Sequence, residues 1–324
     1  MFEKAKKALL RIVEKKWFRT ALLFVMLVAI VLVFTSLSKG RFLKPVNLKI
    51  IVDQALIVAT VATGGIYIFS TGNVNLAMGA TTVLTATLGV IVYNMTGSLV
   101  VMILFSLAFS MVLMMLSSVL STLFKIGVTF VTIVMSVMLS ALQQAIVGGT
   151  SLQVPYEEVS LYLTNLKFPF IAFGLFFAFS ILIFDGTKIG RSLKFIGSNK
   201  TCAKQTGIDP SSFLSKAFIL SGLGMGLGAV LIIVRTGQIT TTSYPSLNND
   251  ALLAIVLGGM SIYGGSKSYI FSGLLGAVIV TALTNGLTMI GVDSTLIQGI
   301  RGIIFFLLVF ASQKRPKGLP VPEG

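Results

Sequence analysis

The sequence predicts an all-α polytopic membrane helix bundle of about ten transmembrane helices, eight to ten as the outer bounds, and three observations predict it. Hydrophobic residues make up 55% of the 324-residue chain and charged residues only 11%, with a mean hydropathy of +0.96. Apolar runs recur at close to the length of about 20 residues that a bilayer-spanning helix requires, and there are too many of them for one soluble core. The net charge of +15 gathers at the ends of these runs with few aromatic residues interleaved, which fits membrane orientation and gives no reason to invoke nucleic acid.

The chain reads as a single transmembrane domain over residues 1–324. Its first run, 18–37, follows Lys4, Lys6, Lys7, Arg11, Lys15, Lys16 and Arg19. This run is long enough to span and is followed by no small-residue cleavage site, so it is expected to be a retained helix rather than a signal peptide. Further spans are expected at 48–69, 76–94, 98–118, 127–147, 167–184, 213–234, 251–264, 270–291 and 295–312. The third of the ten is interrupted by polar residues, and 251–264 is short. Positive residues cluster in 1–17, in the loop 185–212 (Lys188, Arg191, Lys194, Lys200, Lys204) with Lys216 just beyond it, and in the tail 313–324 (Lys314, Arg315, Lys317). Ten spans place all three on one side, the cytoplasmic one, with both termini there and Glu157 and Glu158 outside. Lys39, Arg41, Lys44 and Lys49 then fall outside, against the charge rule.

The chain has no histidine and a single cysteine, Cys202. That removes an intramolecular disulfide, a cysteine-based zinc site and histidine acid–base chemistry. No adjacent deep-membrane carboxylates suggest an intramembrane enzyme.

Polar groups within apolar runs carry more functional information, because they are costly in hydrocarbon unless they face a cavity or another helix. In STGNVNLAMGA, Ser70 to Ala80, Gly72 permits a broken helix, while Asn73 and Asn75 supply donors and acceptors. The segment lines a translocation path or forms a polar turn at the membrane face. Gly222, Gly224, Gly226 and Gly228 give two overlapping GxxxG spacings, suited to close helix packing. Leu257 to Ser268, LGGMSIYGGSKS, has the glycines and lysine of a phosphate loop, but Ser266 precedes Lys267 and the required spacing fails.

Among isolated charges, Arg301 lies mid-run and needs water, a carboxylate or carbonyls. Arg235 is expected to snorkel. Gln143 and Gln144 are placed to contact a hydroxylated solute or to lie at the interface. The basic stretch Gly190 to Ile208 reads as a docking element. A shift of 194 residues superposes Gly64 and Gly65 on Gly258 and Gly259, Gly79 on Gly273, Thr87 on Thr281 and Gly97 on Gly291, which suggests an internal repeat.

From about Asn47 onward the chain resembles the permease subunits of ribose-type sugar ATP-binding-cassette (ABC) importers, in the superfamily shared with branched-chain amino acid permeases. The matching residues run through Gly190-Arg191, Ile196-Gly197, Asn199, Ala203, Gly207-Ile208, Ser221-Gly222 and Arg235. They continue with Ala254, Leu257-Gly258-Gly259, Ser261, Gly264-Gly265, Gly273, Leu275-Gly276-Ala277, Asn285-Gly286-Leu287 and Gly291-Val292. TGNVNLAMG resembles the family's GGIDLSVG region, with Asn75 in place of the usual aspartate, and Ser261-Ile262-Tyr263 replaces a commoner small-residue stretch. Both departures bear on the solute and leave another sugar, a nucleoside or a further hydroxylated compound as alternatives.

The resemblance implies a bacterial inner-membrane, multi-pass permease with no bound cofactor of its own. ATP and Mg would be used by a separate ABC ATPase subunit, an extracytoplasmic solute-binding protein would deliver solute, and a second permease copy or paralogue would complete the pore. It makes 185–212 the ATPase coupling loop, with Gly190, Arg191, Lys194, Gly197, Asn199, Lys200, Lys204 and Gly207 as its candidate residues. Asn73, Asn75, Asn285 and Arg301 are the candidate pathway residues. An ion-coupled secondary carrier is the alternative; it calls for intramembrane ion ligands, for which Asp53 and Asp250 are available.

Overall fold

A computed structural model describes residues 16–312 apart from 166, 262 and 267. The basic start through Lys15, Lys267 and the tail with Lys314, Arg315 and Lys317 lie outside the described residues. The architecture is a polytopic bundle: α1 (Lys16–Leu37), α2 (Pro45–Phe69), α3 (Met78–Thr96), α4 (Leu99–Leu123), α5 (Val128–Val147), α6 (Tyr162–Asn165), α7 (Phe168–Ile181), α8 (Lys188–Ser198), α9 (Lys200–Gln205), α10 (Pro210–Thr236), α11 (Leu247–Leu257), α12 (Phe271–Met289) and α13 (Ser294–Ser312). Among the described residues, seven helices are long and apolar enough to cross a bilayer: α2, α3, α4, α5, α7 with its π-helical extension to Gly186, α10 and α12. Leu23–Leu37 and α11 are shorter apolar helices.

The expected span at 251–264 is corrected. Helix α11 starts earlier, at Leu247, and stops at Leu257, after which the chain is irregular until α12. It ends in a glycine stop, with Gly259 at φ +88° and donating to the Val256 carbonyl at 2.9 Å, and a β-carbon on Gly258 would sit 2.5 Å from the carbonyl carbon of Ser272 on α12. Ser70 to Ala77 is likewise non-helical apart from turns, between α2 and α3. The strand content among the described residues is one antiparallel pair of two-residue strands, β1 (Leu152–Gln153) and β2 (Gln238–Ile239).

Local chemistry sets the helix limits. Pro45 and Pro210 open α2 and α10, where a missing N–H costs nothing. Ser98, Thr187, Asn199 and Asp209 cap α4, α8, α9 and α10 with side-chain oxygens. Gly97 and Gly237 close α3 and α10 in the left-handed conformation that glycine adopts without penalty.

Packing follows the membrane pattern, with small and polar residues inward and large apolar ones outward. On α4 the buried positions are Met102, Ser106, Ser110, Met114, Ser117, Ser118 and Ser121, while Val100, Leu104, Val112, Leu116 and Leu123 are exposed. Helix α10 is the central post, packed on α4 and α2. Its glycines divide between these partners. β-carbons on Gly222 and Gly226 would lie 2.6 Å from Met111 Cα and from the Ser106 carbonyl oxygen, both on α4; on Gly224 and Gly228 they would lie 2.8 Å from Gly64 Cα and from Val61 Cγ2, both on α2. A two-residue offset on a helix turns about 200°, so alternate glycines serve opposite faces. Ser110 Oγ reinforces the α4 side by donating to the Gly222 carbonyl at 2.8 Å.

The helix contacts have a regular relation. Exchanging α2 with α10, α3 with α11, α4 with α12 and α5 with α13 maps α10–α4 onto α2–α12, α10–α3 onto α2–α11, α3–α4 onto α11–α12 and α3–α5 onto α11–α13. Packing therefore relates the halves differently from the 194-residue shift, which pairs α2 with α11 and α3 with α12.

Candidate translocation site

Two helix amino termini meet inside the bundle. Helix α3 begins at Met78 and α11 at Leu247, and their first turns touch so closely that a β-carbon on Gly79 would lie 2.5 Å from the Asn248 nitrogen and 2.9 Å from its Cα. The Gly79 N–H donates to Asn248 Oδ1 at 3.4 Å. Each helix start carries unsatisfied N–H groups and a partial positive charge, so the junction is rich in fixed donors.

Beside it lies a cavity of ≈ 230 Å³. Gly79, Ala80 and Val83 of α3 form one wall, Ser136, Ser140, Gln143 and Gln144 of α5 another, and Thr241, Ser243, Tyr244, Pro245 and Asn248 the third. None of these side chains is charged. Hydroxyls and amides each donate and accept, which suits a neutral solute carrying several hydroxyl groups. Gln143 is fixed by donating its Nε2–H to the Thr240 carbonyl at 2.9 Å. Tyr244 has φ +51°, a strained conformation for a bulky residue, of the kind that clusters at ligand sites. Arg235 holds it there: Nη1 donates to the Tyr244 hydroxyl at 2.8 Å. Arg235, expected to snorkel, has a defined partner on the cavity wall.

The four pathway candidates separate. Asn75 is fully buried and caps the α3 approach, its Oδ1 accepting the Ala77 N–H at 2.9 Å. Asn73 donates to Thr71 Oγ1 at 2.8 Å. Neither lines the cavity, and neither does Asn285, which sits on α12. Arg301 pairs with Asp250 of α11, Nη1 to Oδ1 at 2.8 Å, and its Nη2 donates to Thr284 of α12. The cavity residues missed in sequence, Ser136, Ser140, Ser243, Tyr244 and Asn248, come from two segments far apart in the chain, α5 and the stretch leading into α11. The one available signal was the polar triplet Asn248-Asn249-Asp250 immediately before an apolar run.

Most of the Gly190 to Ile208 segment forms two helices. Helix α8 is amphipathic and buries Gly190, Leu193 and Ile196. Gly190 abuts the Phe184 backbone, and Gly197 abuts the Ser70 carbonyl and the Gly265 nitrogen. Ser198 Oγ accepts the Ser266 N–H at 2.9 Å, and the Gly265 N–H donates to the Ser70 carbonyl at 3.0 Å. The end of α8, the turn after α2 and the loop after α11 thus form one junction. Lys194 turns back to Asp185, at 2.5 Å, with its Nζ 4.2 Å from the Phe184 ring centroid. Asn199 caps α9 through the Cys202 N–H at 3.0 Å. Arg191, Lys200 and Lys204 are exposed, and Gly207 has open space around it. Asp209, at the start of α10, is held below the ordinary carboxylate range by hydrogen bonds from the Ser211 hydroxyl and N–H.

The sequence profile of the family described as "Branched-chain amino acid transport system / permease component" matches residues 47–311. The chain is 23% identical over 313 residues to the ribose import permease protein RbsC of Escherichia coli (strain K12), covering 94% of this chain and 97% of that protein. It is 27% identical over 294 residues to RbsC of Bacillus subtilis (strain 168), covering 88% and 90%. It is 24% identical over 285 residues to the galactofuranose transporter permease protein YtfT of Escherichia coli (strain K12), covering 86% and 82%. No solved structure shows significant similarity.

Proposed function

This chain belongs to the family of branched-chain amino acid transport system permease components, and we propose that it is the membrane subunit of an ABC importer moving a small sugar or sugar-like solute inward. It is a transport subunit, with no chemistry of its own. The observation that carries the solute class is the cavity where α3 and α11 begin, walled by hydroxyl and amide side chains and by no charged ones. Its ≈ 230 Å³ is below the roughly 300–1,000 Å³ typical of drug-sized sites, which suits a monosaccharide. Relatives named for ribose and galactofuranose import match over most of their length, and both names fit a polyhydroxylated solute. A nucleoside or another hydroxylated compound would meet the same donors and acceptors.

Ten membrane segments account for the chain's organisation: the seven long helices, α1, α13, and α11 together with the chain that joins it to α12. Helices five apart in that order then run in opposite directions, and the contact exchange described above becomes an inverted repeat, an architecture used for alternating access. Both termini and α8–α9 lie on the cytoplasmic side of a bacterial inner membrane.

ATP and Mg act on a partner ATPase that docks on α8–α9, with Arg191, Lys200 and Lys204 available to meet it. Force reaches the pore through the Gly197–Ser70–Gly265 junction. A solute-binding protein delivers from outside, and a second permease copy or paralogue completes the pathway. The family match displaces the ion-coupled carrier.

The test is affinity purification of the tagged chain from native membranes, with uptake of labelled D-ribose, D-galactose and D-xylose in the same cells. An ATPase should co-purify with the parent chain and be lost from an Arg191→Ala, Lys200→Ala, Lys204→Ala variant that still inserts. Recovery of no ATPase with the parent, in a preparation retaining other complexes, would overturn the importer reading; uptake of none of the three sugars would count against the solute class.

A further inference from the structure

Helix α11 has a second cavity on its other side. It measures ≈ 200 Å³ and is bounded by Ser246, Asn249, Leu252 and Leu253 of the α11 region and by Gln298, Arg301 and Gly302 of α13. Ser246 and Asn249 face this cavity, whereas Tyr244, Pro245 and Asn248 face the first. The first turn of α11 therefore separates the polar cavity from a mostly apolar one, whose polar groups are those of Ser246, Asn249, Gln298 and Arg301.

Arg301 is the unusual member. It is only 6% exposed, yet it lines the cavity. Two of its nitrogens are engaged, Nη1 by Asp250 and Nη2 by Thr284. Its Nε–H has no hydrogen-bond partner among the described residues. A buried cationic donor left unpaired is unfavourable, and such groups call for an explanation. Asp250 is itself fixed, accepting the Ser246 hydroxyl at 2.9 Å. The guanidinium is thus held from two sides, its buried Nε–H is left without a partner, and the Asp250 carboxylate balances its charge. The side chains of Asn249 and Gln298, both exposed, add neutral donors and acceptors at the mouth.

We propose that this cavity is a second, water-filled station of the translocation path, in which the Arg301 Nε–H donates to a hydroxyl of a neutral solute. The inference rests on the transport function proposed above. Charge balance sets the class: an anion would be repelled by Asp250 and a cation by Arg301, whereas a sugar hydroxyl accepts from Nε without disturbing the pair. Two chambers sharing one short helix as their wall let a small movement of α11 pass solute from one to the other.

Because Cys202 is the chain's one cysteine, a Cys202→Ser background allows clean cysteine labelling in the full transporter in native membranes. Asn249→Cys and Gln298→Cys should each react with a membrane-impermeant thiosulfonate reagent in right-side-out vesicles; a chain unlabelled at both positions would show that the cavity is not on an aqueous path and would overturn the proposal. In a separate arm, Arg301→Lys keeps a cation for Asp250 but removes the Nε donor. It should raise the half-saturating sugar concentration for uptake about tenfold, with unchanged insertion and ATPase co-purification. A half-saturating concentration equal to the parent's would overturn the assigned role of Arg301. Absence of sugar uptake by the parent counts against the solute class, whereas the labelling result bears on the second station alone.

Discussion

The backbone N–H of Gly265 donates to the Ser70 carbonyl at 3.0 Å, joining two loops that follow α2 and α11, and Gly197 sits against both atoms. A side chain at position 197 must therefore displace backbone. Gly197→Val is expected to lift the end of α8 off both loops and cut uptake more than tenfold, while the chain still inserts. Uptake normalised to membrane content by quantitative immunoblot is the check, and near-parental uptake would remove this junction from the coupling route.

The glycine seam of α10 makes a stability prediction with an internal control. A β-carbon on Gly226 would lie 2.6 Å from the Ser106 carbonyl oxygen and 2.8 Å from Leu107 Cα, whereas one on Gly174 meets nothing within 4 Å. Gly226→Val should destabilise the bundle by about 1–3 kcal/mol or more, since backbone must move, and Gly174→Val should be near neutral. Thermal melts in mild detergent compare the two.

Asn75 and Asn248 separate a structural amide from a pathway amide. Asn75→Leu removes the acceptor for the Ala77 N–H and should cost about 1 kcal/mol of stability, the scale of a lost cap. Asn248→Leu removes a group from the cavity wall and should reduce uptake about tenfold with a smaller effect on melting. The reverse pattern would exchange the two roles.

The Asp250–Arg301 pair is nearly buried, with side chains 13% and 8% exposed. Removing one partner leaves an uncompensated charge, so Asp250→Ala is expected to cost about 3–5 kcal/mol. Asp250→Leu combined with Arg301→Met should regain most of the stability without regaining uptake. A double-mutant cycle on detergent melts measures the coupling.

Asp209 has a depressed carboxyl pKa, from hydrogen bonds made by Ser211. A depressed acid contributes fully above its unfolded value, near about 3.9, and loses that contribution as pH falls through the folded value. The melting difference between the parent and Asp209→Ala should hold steady from neutral pH down to about 4 and shrink below that.

The spanning helices were legible in the sequence because hydrocarbon length and apolar composition dictate them, and the glycine spacing on α10 because close packing needs small residues. Helix α11 was misplaced because the apolar run continues past Gly258 and Gly259, whereas the helix stops there with Gly259 in the left-handed conformation. The cavity was only half legible. Gln143 and Gln144 stand out in an apolar run, but Tyr244 and Asn248 matter because α3 and α11 happen to meet, and nothing local announces a contact 169 residues apart. Asn75 was conspicuous for its polarity, and its amide is used within the bundle, Oδ1 accepting the Ala77 N–H and Nδ2 donating to Met114 Sδ of α4.

Helix α11 has 11 residues, about 16 Å at 1.5 Å per residue, against a hydrocarbon core of about 30 Å. It is too short to be admitted to the bilayer on its own merits during synthesis, and it carries Asp250 into that environment. It packs on α2 and α3, made before it, and on α12 and α13, made after it, and its Asp250 meets Arg301 only when α13 has arrived. A nascent chain that ends before residue 301 therefore carries Asp250 without the cation that balances it in the finished bundle.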